Sequence, residues 1–141
     1  MVLAVSAVAF VGGFVLRGAV GPVPSVHAQQ ANRVFEIRTY TAAEGKFDAL
    51  KARFRDHTVS LFEKHGMTNI GYWTPQEGPL AENTLIYILA YPSRDAATES
   101  WDAFRSDPEW KKALAESEAQ GRLTVNVESL FADPADFSPI K

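Results

Sequence analysis

The sequence has no cysteine among its 141 residues. That excludes a disulfide framework and chemistry at thiols, and a folded domain must then be held by its core alone. Metal-binding spacings are missing too: there is no His-x-His, no His-x-x-x-His and no Cys/His cluster among three histidines. No Gly-rich phosphate loop, nucleophile elbow or serine triad occurs. The charge leans the wrong way for nucleic acid, with 14 Lys and Arg against 17 Asp and Glu. No cofactor is expected, haem included.

What is present is an apolar leader and an ordinary globular remainder. Met1 to Leu16 is almost wholly apolar, Arg17 ends the run, and Gly21-Pro22-Val23-Pro24 follows. Val26-His27-Ala28 has the small or apolar residues that a signal peptidase reads. The run is shorter than the ~20 residues needed to span a bilayer. Residues 1–28 are therefore read as an export signal cut after Ala28, with a periplasmic or secreted product. No Lys or Arg precedes the run, so an uncleaved anchor is the alternative, and only then would a membrane be a partner. Losing Arg17 with the leader makes the balance one charge more negative. Residues 29–33 form a linker, and 34–141 one domain. Hydrophobic residues at 46% are enough for a core.

The organising stretch is Val34–Tyr40, Val-Phe-Glu-Ile-Arg-Thr-Tyr. It alternates with a period of two, as a strand does. Phe35, Ile37 and Thr39 form one row, expected to pack on helices. Glu36, Arg38 and Tyr40 form the other, expected to meet a second copy of the chain. Lys46 to Lys64 follows with a helical period: Phe47, Leu50, Phe54, then His57 or Thr58, and Leu61. Gly66 stops it, with His65 in the last turn.

Met67 to Trp73 reads as a strand with Tyr72 and Trp73 on opposite faces. Gly71 inside it signals a bulge or a close approach. Thr74 to Asn83 is a loop. Thr84 to Tyr91 is apolar on both faces and belongs at the centre of a sheet. Ser93 caps a helix carrying Ala97, Trp101 and Phe104 inward. Asp107-Pro108 starts another, with Trp110, Ala113 and Leu114 inward. Arg122 to Phe131 is a fourth strand, polar on one face and so at an edge. The tail from Asp133 is expected to lie over a neighbouring copy.

The order β-α-β-β-α-β predicts an α+β, ferredoxin-like antiparallel sheet with helices on one face. The other face would carry Arg38, Tyr40 and a row of the apolar third strand. Two sheets packed face to face would bury it, giving a homodimer and a dimeric α+β barrel.

Several residues are candidates for chemistry. His57 shares the apolar stripe of the first helix and titrates near neutral pH, as a base or a ligand contact would. Its structural reading is a core or rim histidine. His65 lies ~12 Å further along the helix, too far to share a metal. Glu36 and Arg38 could orient a polar substrate or set register at the dimer interface, with Glu128 joining across the sheet. Trp73, Tyr87 and Trp101, with His57, could line a pocket for a small, mostly apolar organic molecule. Aromatics at such spacing also serve as plain core.

Taken together, Phe35–Tyr40, Gly45-Lys46, His65-Gly66, Gly71-Tyr72-Trp73, Gly78-Pro79-Leu80 and Asp107-Pro108-Glu109-Trp110 resemble the NIPSNAP family. The resemblance spans about Val34 to Phe131. It implies the fold of the dimeric α+β barrel superfamily, which includes cofactor-free monooxygenases, dye-decolourising and haem-degrading enzymes and stress-responsive barrels. It implies fold and dimer but no common activity. The export-type leader departs from the eukaryotic members, so no mitochondrial or autophagy role is carried over. Three functions follow as expectations: a ligand-binding barrel, a cofactor-free oxygenase or isomerase with His57 as base, or a structural or stress-response module with no ligand. Protein recovered from the cell envelope should begin at Gln29. Intact-mass measurement checks this, and a retained Met1 would show the anchor instead.

Overall fold

The computed structural model describes residues 33–141. The expected leader, residues 1–28, and most of the linker lie outside the described residues. Among those residues, no helix is long and apolar enough to cross a membrane.

Four strands alternate with helices: β1 (Val34–Ala42), β2 (Thr68–Trp73), β3 (Thr84–Tyr91) and β4 (Thr124–Ala132). They form one antiparallel sheet in the order β2-β3-β1-β4. The doubly apolar β3 sits inside the sheet, and the half-polar β4 is an edge, as the patterns require. Helices α1 (Phe47–Arg53) and α2 (Val59–Lys64) are joined by one π turn, Phe54–Thr58. Inside that turn the Thr58 hydroxyl donates to the Arg53 carbonyl at 3.2 Å. Gly66, with φ of +78°, takes the left-handed turn that closes the run, a conformation disfavoured for a residue with Cβ.

Helix α3 (Arg94–Ser106) begins where the Ala96 N–H donates to Ser93 Oγ at 3.1 Å. Helix α4 (Pro108–Ser117) begins where the Glu109 N–H donates to Asp107 Oδ1 at 2.7 Å. Asp107 also binds His65 Nε2 at 2.6 Å and Lys64 Nζ at 2.9 Å, which ties the end of α2 to the start of α4. The hydrogen bond from Lys64, then those from His65 and the Glu109 N–H, hold its carboxyl well below the ordinary range. His65 thus finishes a helix end.

The faces of β1 are the reverse of the expectation. Glu36, Arg38 and Tyr40 point at the helices, beside Leu89, Tyr87 and Leu85 of β3. Phe35, Ile37 and Thr39 point to the other side of the sheet, beside Ala90, Ile88 and Ile86. Period-two alternation reports that two rows exist but not which one goes inward. Glu36, Arg38 and Tyr40 are therefore no part of an open-face interface. Glu128 also falls on the far face, opposite Thr39; it is Ser129, opposite Arg38, that reaches Glu36.

The open face is apolar. Ile37, Ile70, Ile86 and Ile88 are half-buried, while Trp73 is 50% and Leu130 63% exposed. Gly71 occupies the expected bulge, where the register shifts between Asn69 and Gly71. The Trp73 indole folds back over it: a Cβ at Gly71 would lie 2.6 Å from the ring. The tail lies against its own sheet. Pro134, Ser138 and Ile140 border a hollow with Phe35 and Ile88, and Arg33 Nε donates to the Lys141 carbonyl at 2.7 Å.

Between sheet and helices, Phe62, Leu50, Leu89 and Met67 are buried. The Phe62 ring packs on Phe104, Trp101 and Tyr87 with centroids 4.9 to 5.9 Å apart. Replacing Phe62 with Ala should cost about 3–5 kcal/mol, read from guanidinium unfolding, because the rings around it cannot collapse into the void.

Candidate functional site

The helix-facing row of β1 assembles a buried polar group. Glu36 is 1% exposed. Its Oε2 accepts from Tyr91 Oη at 2.6 Å and from Trp101 Nε1 at 2.7 Å. Its Oε1 accepts from Ser129 Oγ at 2.6 Å and from Arg38 Nη1 at 2.5 Å. Burial by itself raises the pKa of this carboxyl. The hydrogen bonds from Ser129, Tyr91 and Trp101 and the Arg38 charge outweigh it, so the carboxylate is held below its ordinary value. Arg38 in turn lies over the Trp101 ring at 4.3 Å and reaches Tyr40 Oη at 3.4 Å. Burial pushes the Tyr87 and Tyr91 phenols up, so both stay protonated at neutral pH.

Tyr40 links this group to an opening in the fold. A cleft of about 230 Å³ lies between the sheet near its β4 edge and the helices. Tyr40 and Val127 form its sheet wall. Phe54 and Phe62 come from the first helical run, Phe104 from α3 and Trp110 from α4. Its polar lining is Thr58, Thr124, Arg53, Glu118 and Arg122. Val127, 42% exposed, and the exposed Arg122 mark where it meets solvent. Arg53 is only 5% exposed; its Nη1 donates to Glu118 Oε1 at 3.0 Å and Ser117 Oγ at 3.3 Å, while its Nε has no partner among the described residues.

The four expected pocket residues are not brought together. Trp101 is buried against Glu36, and Tyr87 is wholly buried in the aromatic core, its hydroxyl without a partner among the described residues. Trp73 lies on the opposite side of the sheet. His57 is exposed on the π turn and borders outer hollows with Asp56, Ala113 and Glu116; it does not line the cleft. Its position leaves it as a rim histidine. No group of three or more His, Cys, Asp or Glu side chains suited to a metal occurs among the described residues.

Among the cleft residues missed in the sequence are Arg53, Glu118, Arg122 and Val127. Arg53, three residues after Leu50, sits on the flank of the apolar stripe, and its burial depends on Ser117 and Glu118, some 65 residues further along the chain. Nothing in the local sequence signals that contact.

The Glu36 group yields a test. Glu36→Gln leaves the Arg38 charge buried without its partner, and should cost about 3–5 kcal/mol at pH 7 by urea unfolding. The folded-state pKa of Glu36 is depressed, so its contribution is complete above the unfolded value of about 4.3 and is lost as pH falls through the folded one. The gap between wild type and variant should therefore shrink on acidification. A gap that stays constant down to pH 2 would contradict this account.

Comparison with known proteins fits this geometry. The NIPSNAP family model matches residues 35–139. A search of curated proteins returns no match. Among solved structures, a NIPSNAP family protein of unknown function from Agrobacterium tumefaciens is 26% identical, with 82% of this chain and 100% of that chain covered and a TM-score of 0.68. An uncharacterised NIPSNAP-like domain protein from Burkholderia xenovorans is 19% identical over 77% of this chain and 90% of that one, with a TM-score of 0.67. SnoaB, a cofactor-independent oxygenase from Streptomyces nogalater, shares the fold at 15% identity, over 77% of this chain and 98% of that one, with a TM-score of 0.53. With a family match over most of its length and the α+β sheet that family builds, the chain belongs to the NIPSNAP family.

Proposed function

We propose that the chain is an exported, homodimeric NIPSNAP protein that binds a small, mostly apolar organic molecule in the cleft between sheet and helices. The observation that carries this reading is the cleft itself. It is walled by aromatic rings from four elements, opens at Val127, and holds about 230 Å³ inside an otherwise packed core. A structural module with every aromatic in the core would have no use for such a space.

The homodimer is supported by the open sheet face. Its apolar residues Ile37, Ile86, Trp73 and Leu130 lie beyond the tail's hollow or at its border, and a soluble monomer rarely leaves such a row to water. A second sheet laid on it would bury at least about 1,200 Å² in total. The composition of residues 1–28 supports export.

A cofactor-free oxygenase or isomerase would use the same cleft, and the fold it shares with SnoaB keeps that reading alive. In that reading the reacting groups would come from the cleft lining, since the His57 ring lies on the outer helical surface. Native mass spectrometry of protein purified from its own cell envelope should show twice the chain mass plus a small carried molecule. Ile37→Glu with Ile88→Glu should give single copies by light scattering without unfolding. A wild type that is already single at micromolar concentration would overturn the dimer.

A further inference from the structure

We infer that the cleft selects an aromatic carboxylate over a neutral aromatic of the same shape. The inference rests on the cleft being the binding site and adds the charge of its ligand. Three charged side chains line the space: Arg53, Glu118 and Arg122. Glu118 is already engaged. Its Oε1 accepts from Arg53 Nη1 at 3.0 Å and from the Leu123 N–H at 3.3 Å. A cationic ligand would have to compete with Arg53 for it. Arg122 forms no ion pair and no side-chain hydrogen bond with another described residue, so the lining keeps one positive charge in excess.

The second observation is inside the wall. Arg53 is 95% buried by the complement of its 5% exposure, and its Nε–H has no acceptor among the described residues. Packing closes that N–H off, so an anion in the cleft acts on Arg53 through its charge and through the atoms that line the space. Nη1 is committed to Ser117 and Glu118, while Nη2 forms no hydrogen bond with another described residue. A planar carboxylate suits guanidinium donors better than a point charge does. The rest of the lining specifies the remainder of the molecule. Tyr40, Phe54 and Trp110 present ring faces and edges that favour a flat aromatic body. The charged end then lies toward Arg122 and solvent, and the rings toward Phe62 and Phe104.

The test uses 2-naphthoate and the isosteric, neutral 2-naphthamide, titrated by calorimetry into the mature chain at low salt. Low salt matters because screening would compress a preference that depends on an exposed arginine. Wild type should bind the acid about tenfold more tightly than the amide. Arg122→Gln removes an exposed side chain and so spares the fold. It should cut the preference to roughly threefold or less while leaving amide binding in place. Val127→Trp should block the mouth and abolish binding of both. Equal affinity of wild type for acid and amide would overturn the selectivity and leave the cleft standing. A full preference retained in Arg122→Gln would also overturn it. Binding of neither probe, or of both in Val127→Trp, would overturn the cleft as the site.

Discussion

An ionised carboxylate taken out of water is unfavourable unless enough donors replace the lost hydration. Glu36 receives four: Tyr91, Trp101, Ser129 and Arg38. These come from β3, α3, β4 and β1 itself. The carboxylate therefore ties both neighbours of β1 and one helix to that strand. It also decides which way β1 faces. Turning the strand over would place Phe35 and Ile37 under the helices, but would leave Tyr91 and Trp101 with buried polar atoms and no acceptor. The polar row goes inward because the interior offers it a complete set of partners.

The rest of the architecture follows from that choice. With Glu36, Arg38 and Tyr40 inward, the apolar row Phe35 and Ile37 must go outward, beside Ile88 and Leu130. The sheet acquires an apolar face opposite the helices, partly covered by its own C-terminal tail. Arg38, held by Glu36 and stacked on Trp101, sets Tyr40 at the border of the aromatic cluster. Tyr40 then forms one wall of the cleft. The stability of the core and the shape of the candidate site thus share one buried carboxylate.

The cleft also depends on the π turn. An uninterrupted helix from Phe47 to Lys64 would present a single stripe to the sheet. Arg53 and Phe54 are both buried just before the widened turn at Phe54–Thr58, and Thr58 and Phe62 stay inward beyond it. Arg53 turns toward α4 and the Glu118 loop, while Phe54 packs on Tyr40 and Tyr87. The same turn carries His57 to the outer surface, away from the space between sheet and helices.

The element order, the central place of β3, the edge position of β4, the bulge at Gly71 and the caps at Ser93 and Asp107 are all written in the residues alone. All of these are local: periodicity, turn residues and side chains reaching their own backbone. The quoted motifs determined the family as well. The facing of β1, the path of the tail and the lining of the cleft emerge from long-range packing. A two-residue period looks the same from either side of a sheet, and Glu36 goes inward because of Tyr91, Trp101 and Ser129, between 55 and 93 residues away along the chain. Arg53 and Arg122 line one cleft for the same reason: the packing of distant segments places them there, and no spacing in the sequence records it.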